Sequence, residues 1–144
     1  MTSSLFPDVN VWLALTYERH VHHPPAARWL EGKDDAVVFC RFTQLGLLRL
    51  LTNEQVMGAD VLTQRKAWHA YHRWFEDDRV GFHDEPDSSR LGTSLEELST
   101  RSRPSTKLWA DAYLAAFART AGLTLVTFDH AFRAMPSVPV EVLA

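Results

Sequence analysis

The chain holds a single cysteine, Cys40, among its 144 residues, so no disulfide can form within it and stability must come from a packed core. Cys40 closes the apolar run "AVVFC", where a thiol is expected as a small buried hydrophobe rather than as a nucleophile. Long apolar stretches are missing too. None approaches the roughly 18 residues of a membrane span, and no basic segment leads into a signal-like apolar one at the N-terminus. These absences lead to the expectation of a cytoplasmic protein with no membrane partner. An excess of positive charge is also lacking: the net charge is −3. That excludes a protein that coats nucleic acid by bulk attraction, and leaves room for a local basic patch. Internal repeats, low-complexity tracts and linkers are absent. What is there, 46% hydrophobic and 23% charged positions, is the balance of one globular domain over 1–144.

The pattern along the chain alternates short apolar strands with helices. "LFPD" predicts a buried strand and "VNVWLALTYER" a helix. "HHPPAARWLEGK" predicts a second helix with its prolines in the first turn and Gly32 at its end. "AVVFC" follows as a strand, then "FTQLGLLRLLTN" as a helix with Leu45, Leu48 and Leu51 on its buried side, broken by "NEQVMGAD". "LTQRKAWHAYHRWFEDD" reads as a helix, "VGFH" as a strand, and "TSLEELSTRS" as a brief helix capped by Thr93 or Ser94. "STKLWADAYLAAFARTAG" is the clearest helix, capped by Ser105 or Thr106 and closed by Gly122. "LTLVTFD" is a strand, "HAFRAM" a helical turn or two, and "VPVEVL" a last strand set at an edge by Pro139. The fold class is α/β: a three-layer α/β/α sandwich with a mainly parallel central sheet.

In such sheets ligands bind beyond the carboxyl ends of the strands, where the strand order reverses. Asp8 closes the first strand and Asp129 closes "LTLVTFD", so neighbouring strands would bring both carboxylates to one sheet edge. Asp111 shares a helix face with Leu114, Ala115 and Ala118, which sets a charge on a side that should be buried. Each acid alone has an ordinary reading, Asp8 and Asp129 as helix caps and Asp111 as the partner of a buried arginine. The caps leave Asp111 unexplained, and Lys107 is the only base one turn before it. Three converging acids need a proton or a hard divalent cation, and oxygen donors without a nearby Cys or His pair suit magnesium or manganese better than zinc.

Four blocks, "DVNVWLAL", "TQLGLLRLLTN", "ADAYLAAFAR" and "LVTFDHAF", resemble in order and spacing those of the PIN domain, specifically the VapC-type toxins of bacterial toxin–antitoxin pairs. The resemblance implies a metal-dependent endoribonuclease that hydrolyses RNA phosphodiester bonds with Mg²⁺ or Mn²⁺. It matches Asp8, Asp111 and Asp129 to the family's acidic positions, which hold the metal and carry catalysis. Asn10 matches the polar residue after the first acid, and Thr127 the hydroxyl residue before the last. Gln44 departs from the pattern, standing where the family often carries a glutamate; its amide oxygen can support the site without adding charge. The partners implied are RNA, a VapB-like antitoxin and a second copy of the chain.

Arg101, Arg103 and Lys107, just ahead of the Asp111 helix, are expected to hold an RNA backbone. The "HVHH" run at 20–23 and the pair His69 and His72 are expected to be ordinary, partly exposed histidines. The five tryptophans are expected in the core or an interface rather than as base-stacking platforms. Trp68, Tyr71, Trp74 and Phe75 give one helix more rings than one side of a small sheet requires, so its exposed remainder should be a partner surface. Two other functions compete. A haloacid dehalogenase-type phosphatase also starts with an acid after its first strand, but has a second acid where this chain has Asn10, and is longer. A catalytically silent PIN-fold protein that binds RNA or a partner is raised by Gln44.

Overall fold

Period-two alternation in three apolar strands sorts the core into two layers. Leu5, Val37, Phe39 and Val126 project into one cluster of buried side chains, and Phe6, Val38 and Leu125 into another. The computed structural model describes residues 4–143. Its strands β1 (Leu5–Pro7), β2 (Val37–Phe39), β3 (Val80–Phe82), β4 (Thr124–Thr127) and β5 (Val140–Val142) form a parallel sheet in the order β3-β2-β1-β4-β5. Helices α1 (Val9–Thr16), α2 (His23–Glu31), α3 (Arg41–Leu51), α4 (Glu54–Met57) and α5 (Gln64–Arg73) contribute to the first cluster. Helices α6 (Ser88–Ser99) and α7 (Thr106–Ala121) cover the opposite face. This is the predicted three-layer α/β/α sandwich, with β5 at an edge as Pro139 suggested.

The strand order fixes where a site can lie. From β1 the chain moves outward to β2 and β3, then returns past β1 to lay down β4 and β5 on its other side. The reversal therefore falls between β1 and β4, and the crevice of a parallel sheet opens above the carboxyl ends of those two strands. Pro7 has no N–H to give to a ladder and ends β1, so the next residue, Asp8, turns straight into α1.

Several local expectations change. Leu45 is 52% exposed, and the buried line of α3 runs through Thr43, Gln44, Leu47 and Leu51 instead. The face is decided by the contact with α1, where Gly46 lies against Val9. "NEQVMGAD" is not a plain break: Asn53 caps the short α4, and a 3₁₀ turn spans Gly58–Asp60. Helix α6 begins five residues before the predicted cap, because Asp87 accepts from the backbone N–H groups of Ser89 (3.0 Å) and Arg90 (3.1 Å). Thr93 and Ser94 are thus interior to α6, whose buried contacts are Leu91 and Leu98. In the ring-rich segment Tyr71 is buried while Trp68 and Phe75 stay exposed. Trp74 leaves α5 for a 3₁₀ turn and donates from Nε1 to Thr16 Oγ1 at 2.9 Å.

The α1–α3 contact yields a first test. A Cβ on Gly46 would lie inside contact distance of both Val9 methyls, and a β-branched side chain on a helix has little rotamer freedom with which to yield. Gly46→Ala is expected to lower stability by about 1–3 kcal/mol in urea unfolding, with Val9→Ala in the same chain restoring most of the loss. A fully stable Gly46→Ala would show that the helices part easily.

Candidate functional site

The β1–β4 register pairs Leu5 with Thr124, Phe6 with Leu125 and Pro7 with Val126. The next step brings Asp8 opposite Thr127. The Asp8 N–H donates to Val126 O at 2.9 Å. Its carboxylate, almost fully buried, accepts from Val11 N on Oδ1 at 3.0 Å and from Thr127 Oγ1 on Oδ2 at 2.6 Å. The same hydroxyl oxygen accepts from the backbone N–H of Asp129 at 3.0 Å. One threonine therefore ties both strand-end acids together. Burial pushes the Asp8 carboxyl above its ordinary pKa, opposed by the hydrogen bonds from Thr127 and Val11, and the nearby Asp111 charge pushes it further up.

Asp111 comes from the first half of α7, where Ser105 caps the helix through Leu108 N. Its neighbours on that face, Leu114, Ala115 and Ala118, are buried, and its own side chain is 23% exposed. Burial raises its pKa; Lys107 pulls it down and Asp129 pushes it up. The Lys107 ammonium bridges two acids, 3.1 Å from Asp129 Oδ2 and 3.8 Å from Asp111 Oδ2. Asp129 also caps the 3₁₀ turn His130–Ala134 through Ala131 N, and this N–H together with Lys107 holds its pKa below the usual value. Both strand-end acids are thus caps, as their ordinary reading had it, and are also joined through the Thr127 hydroxyl. Asp111 has no buried arginine; its cation is Lys107, whose side chain is 73% exposed.

The other predicted residues divide. Thr127 stands at the centre of the acids. Asn10 is exposed in the first turn of α1, with its backbone N–H turned toward Asp8. Gln44 is buried but its Oε1 accepts from Arg41 Nη1 at 2.6 Å, and the side chain also bonds the Tyr71 hydroxyl. It belongs to an adjoining cluster with Arg41, Tyr71, Phe75 and Phe82. Arg101 and Arg103 are exposed on the loop before α7. Lys107, expected on the RNA backbone, is here paired with Asp111 and Asp129; its i, i+4 spacing marks it as the one base a turn before Asp111. His22 stacks on Phe128 and His23 Nδ1 meets Ala14 O, so these histidines serve local packing. Cys40 is buried and its thiol is pushed up by burial, which suits the inert role expected of it. Trp109 is not in the core: it is 63% exposed, which leaves only the interface half of its expectation open.

As the side chains lie, no three His, Cys, Asp or Glu residues among the described ones are gathered closely enough to hold a metal ion. The donor chemistry nevertheless fits a hard cation. The donors are carboxylates, two of them with raised proton affinity, and the positive charge that their mutual repulsion needs is supplied here by one exposed lysine. Lys107 can withdraw into solvent at little cost, because exposed ion pairs are weak.

A PIN domain family model matches residues 5–138. Ribonuclease VapC41 of Mycobacterium tuberculosis is 44% identical over 146 aligned residues, which cover 97% of this chain and 99% of that protein. In structure, the chain superposes on VapBC2 from Rickettsia felis, solved bound to a DNA fragment from its promoter, with a TM-score of 0.71, 14% identity and coverage of 98% and 99%. It also superposes on Mycobacterium tuberculosis VapC20, described as a Sarcin-Ricin loop cleaving toxin, with a TM-score of 0.66, 20% identity and coverage of 93% and 98%.

The raised Asp8 pKa makes a signed prediction. Native Asp8 holds its proton more tightly than at the ordinary 3.8, so it costs nothing at lower pH and costs stability as pH rises through and above that value. Asp8→Asn keeps an oxygen for the α1 cap. In a metal chelator it is expected to melt above the wild type at pH 7, with the difference vanishing by about pH 3. A variant that melts below the wild type at pH 7 would mean that the hydrogen bonds outweigh burial.

Proposed function

The chain belongs to the PIN domain family, and from that premise we propose that it is a metal-dependent endoribonuclease, the toxin of a type II toxin–antitoxin pair. The observation that carries the reading is a linked set at the β1–β4 switch point, in which the Thr127 hydroxyl joins Asp8 to the Asp129 backbone and the Lys107 ammonium joins Asp129 to Asp111. The 44% identity to a VapC ribonuclease over nearly the whole chain supports it.

Asp8, Asp111 and Asp129 would hold Mg²⁺ or Mn²⁺, which supplies a water of lowered pKa and offsets charge on the phosphate. The residues divide the remaining work by their hydrogen bonds. Both Asp8 oxygens are already engaged, by Val11 N and by Thr127, so Asp8 is a fixed ligand. Among the described residues Asp111 has no hydrogen bond like those on Asp8, so once Lys107 withdraws, one of its oxygens can bind the metal and the other face the water. It is therefore the better acceptor for the proton of the attacking water. Thr127 keeps Asp8 oriented, and Arg101, Arg103 and a withdrawn Lys107 hold the RNA backbone. Asn10 and Gln44 support the site from its edge.

Two other readings weaken. Phosphatase chemistry of the haloacid dehalogenase kind needs an acid at the position of Asn10. A silent binding protein draws support from Gln44, whose amide turns to Arg41 and Tyr71, but leaves three mutually repelling acids without a purpose. For partners we infer a VapB-like antitoxin and a second copy of the chain. The support is the exposed apolar face of Leu45, Trp68, Phe75 and Phe82 and the toxin–antitoxin complexes among the structural neighbours.

Asp111→Asn is expected to lower manganese-dependent RNA cleavage by about 10²–10⁴-fold, the usual contribution of a positioned base, while the fold persists; wild-type turnover in this variant would end the mechanism. Lys107→Met is expected to tighten Mn²⁺ binding a few-fold in calorimetry, since an exposed ion pair no longer competes. Unchanged or weaker binding would remove Lys107 from the metal's place.

A further inference from the structure

Trp109 lies on α7 two residues after Lys107 and two before Asp111, yet is 63% exposed, whereas Trp12 is fully buried. It forms one wall of a groove between α6 and α7, together with Leu95, Arg101, Arg103 and Pro104. A lone exposed ring is unremarkable on its own. Here it comes with charges that have no partner. Among the described residues, neither Arg101 nor Arg103 reaches a carboxylate; Arg101 Nη1 meets only Thr100 O, at 3.3 Å. The stretch from Thr100 to Trp109 carries Arg101, Arg103 and Lys107 and no acid, in a chain whose net charge is −3. Glu96, on the α6 wall, is the one acid lining the groove.

A flat ring open to solvent beside unpaired guanidinium groups suits a polyanion with accessible base faces, which is single-stranded RNA rather than a duplex. Charge continuity favours RNA over a peptide: the basic stretch runs without interruption into Lys107, whose ammonium touches Asp111 and Asp129. Two residues correspond to about 200° around a helix, so Trp109 lies on the α6 flank of α7 and the acids lie on the other. A strand that touches both must cross the N-terminal end of α7. The stacked base is then a few nucleotides away from the phosphate at the acids.

We propose that Trp109 is a stacking platform for one unpaired base of the RNA, with Arg101 and Arg103 on the flanking phosphates, so that the chain reads its substrate at a position removed from the cut. The proposal rests on the nuclease reading and names the form of RNA that it takes.

The test uses the full chain in a metal chelator, where no cleavage occurs, and a labelled single-stranded RNA of roughly a dozen nucleotides beside its duplex. Fluorescence anisotropy is expected to show preference for the single strand. Trp109→Ala should weaken that binding about tenfold, with Trp109→Phe keeping most of it. Arg101→Ala with Arg103→Ala should reduce the slope of log affinity against log salt by about 1.4. Melting curves identical to the wild type exclude misfolding. Wild-type RNA affinity in Trp109→Ala, equal losses for single strand and duplex, or no RNA binding by the wild type would each overturn the platform. So would unchanged RNA binding with an altered oligomeric mass, which would make the groove a protein interface. Manganese-dependent cleavage by the wild type is scored separately: if it persists while Trp109→Ala binds normally, only the platform falls. If it is absent while Trp109→Ala loses binding, the nuclease reading falls and the platform stands.

Discussion

One hydroxyl, that of Thr127, ties together the two strand-end acids of this protein. It donates to Asp8 across the junction of two parallel strands and accepts from the backbone of Asp129. That contact exists only because β1 and β4 are neighbours in a register that pairs Pro7 with Val126. A slip of one residue would turn every side chain of a strand to the other face and take Phe6 and Leu125 out of their cluster with Phe117. The hydrophobic pattern of two short strands therefore holds Asp8 and Asp129 in place, while α7 brings Asp111. Stability of the core and geometry of the site are one constraint.

The electrostatics follow from that placement. Asp8 is buried and Asp111 half-buried, both near other acids, and each carries a raised pKa; Asp129, anchored by Ala131 N and Lys107, carries a lowered one. Acids whose environments push their proton affinities apart are suited to different roles. Lys107 balances the set while remaining mostly in solvent. One of the three negative charges is therefore offset by a group the site can release, which suits the proposed exchange of a side-chain cation for a metal.

Most of the architecture was legible in the sequence, because continuous apolar runs bounded by helices admit few arrangements. The carboxylates at positions 8 and 129 follow from the rule that parallel strands share their carboxyl ends, and Asp111 from a charge on an apolar helix face. Local periodicity could not decide what tertiary contacts decide. Leu45 lost its buried place because Gly46 lets α3 approach Val9. The start of α6 moved because an aspartate after a proline captured two N–H groups ahead of Thr93 and Ser94. Gln44 looked like a site residue by its block, yet its partners Arg41 and Tyr71 lie on other turns and another helix. Trp109 was expected in the core or an interface, and nothing in its flanking sequence shows which, or that α6 leaves its face open.

The central claim is that Asp8, Asp111 and Asp129 share one hard ion. Crystals grown with Mn²⁺ and measured for its anomalous scattering test it most directly. The account predicts a manganese peak within about 2.2 Å of oxygens from all three carboxylates, with the Lys107 ammonium moved off them. A peak elsewhere, or Lys107 still bridging Asp111 and Asp129 at saturating manganese, would contradict it.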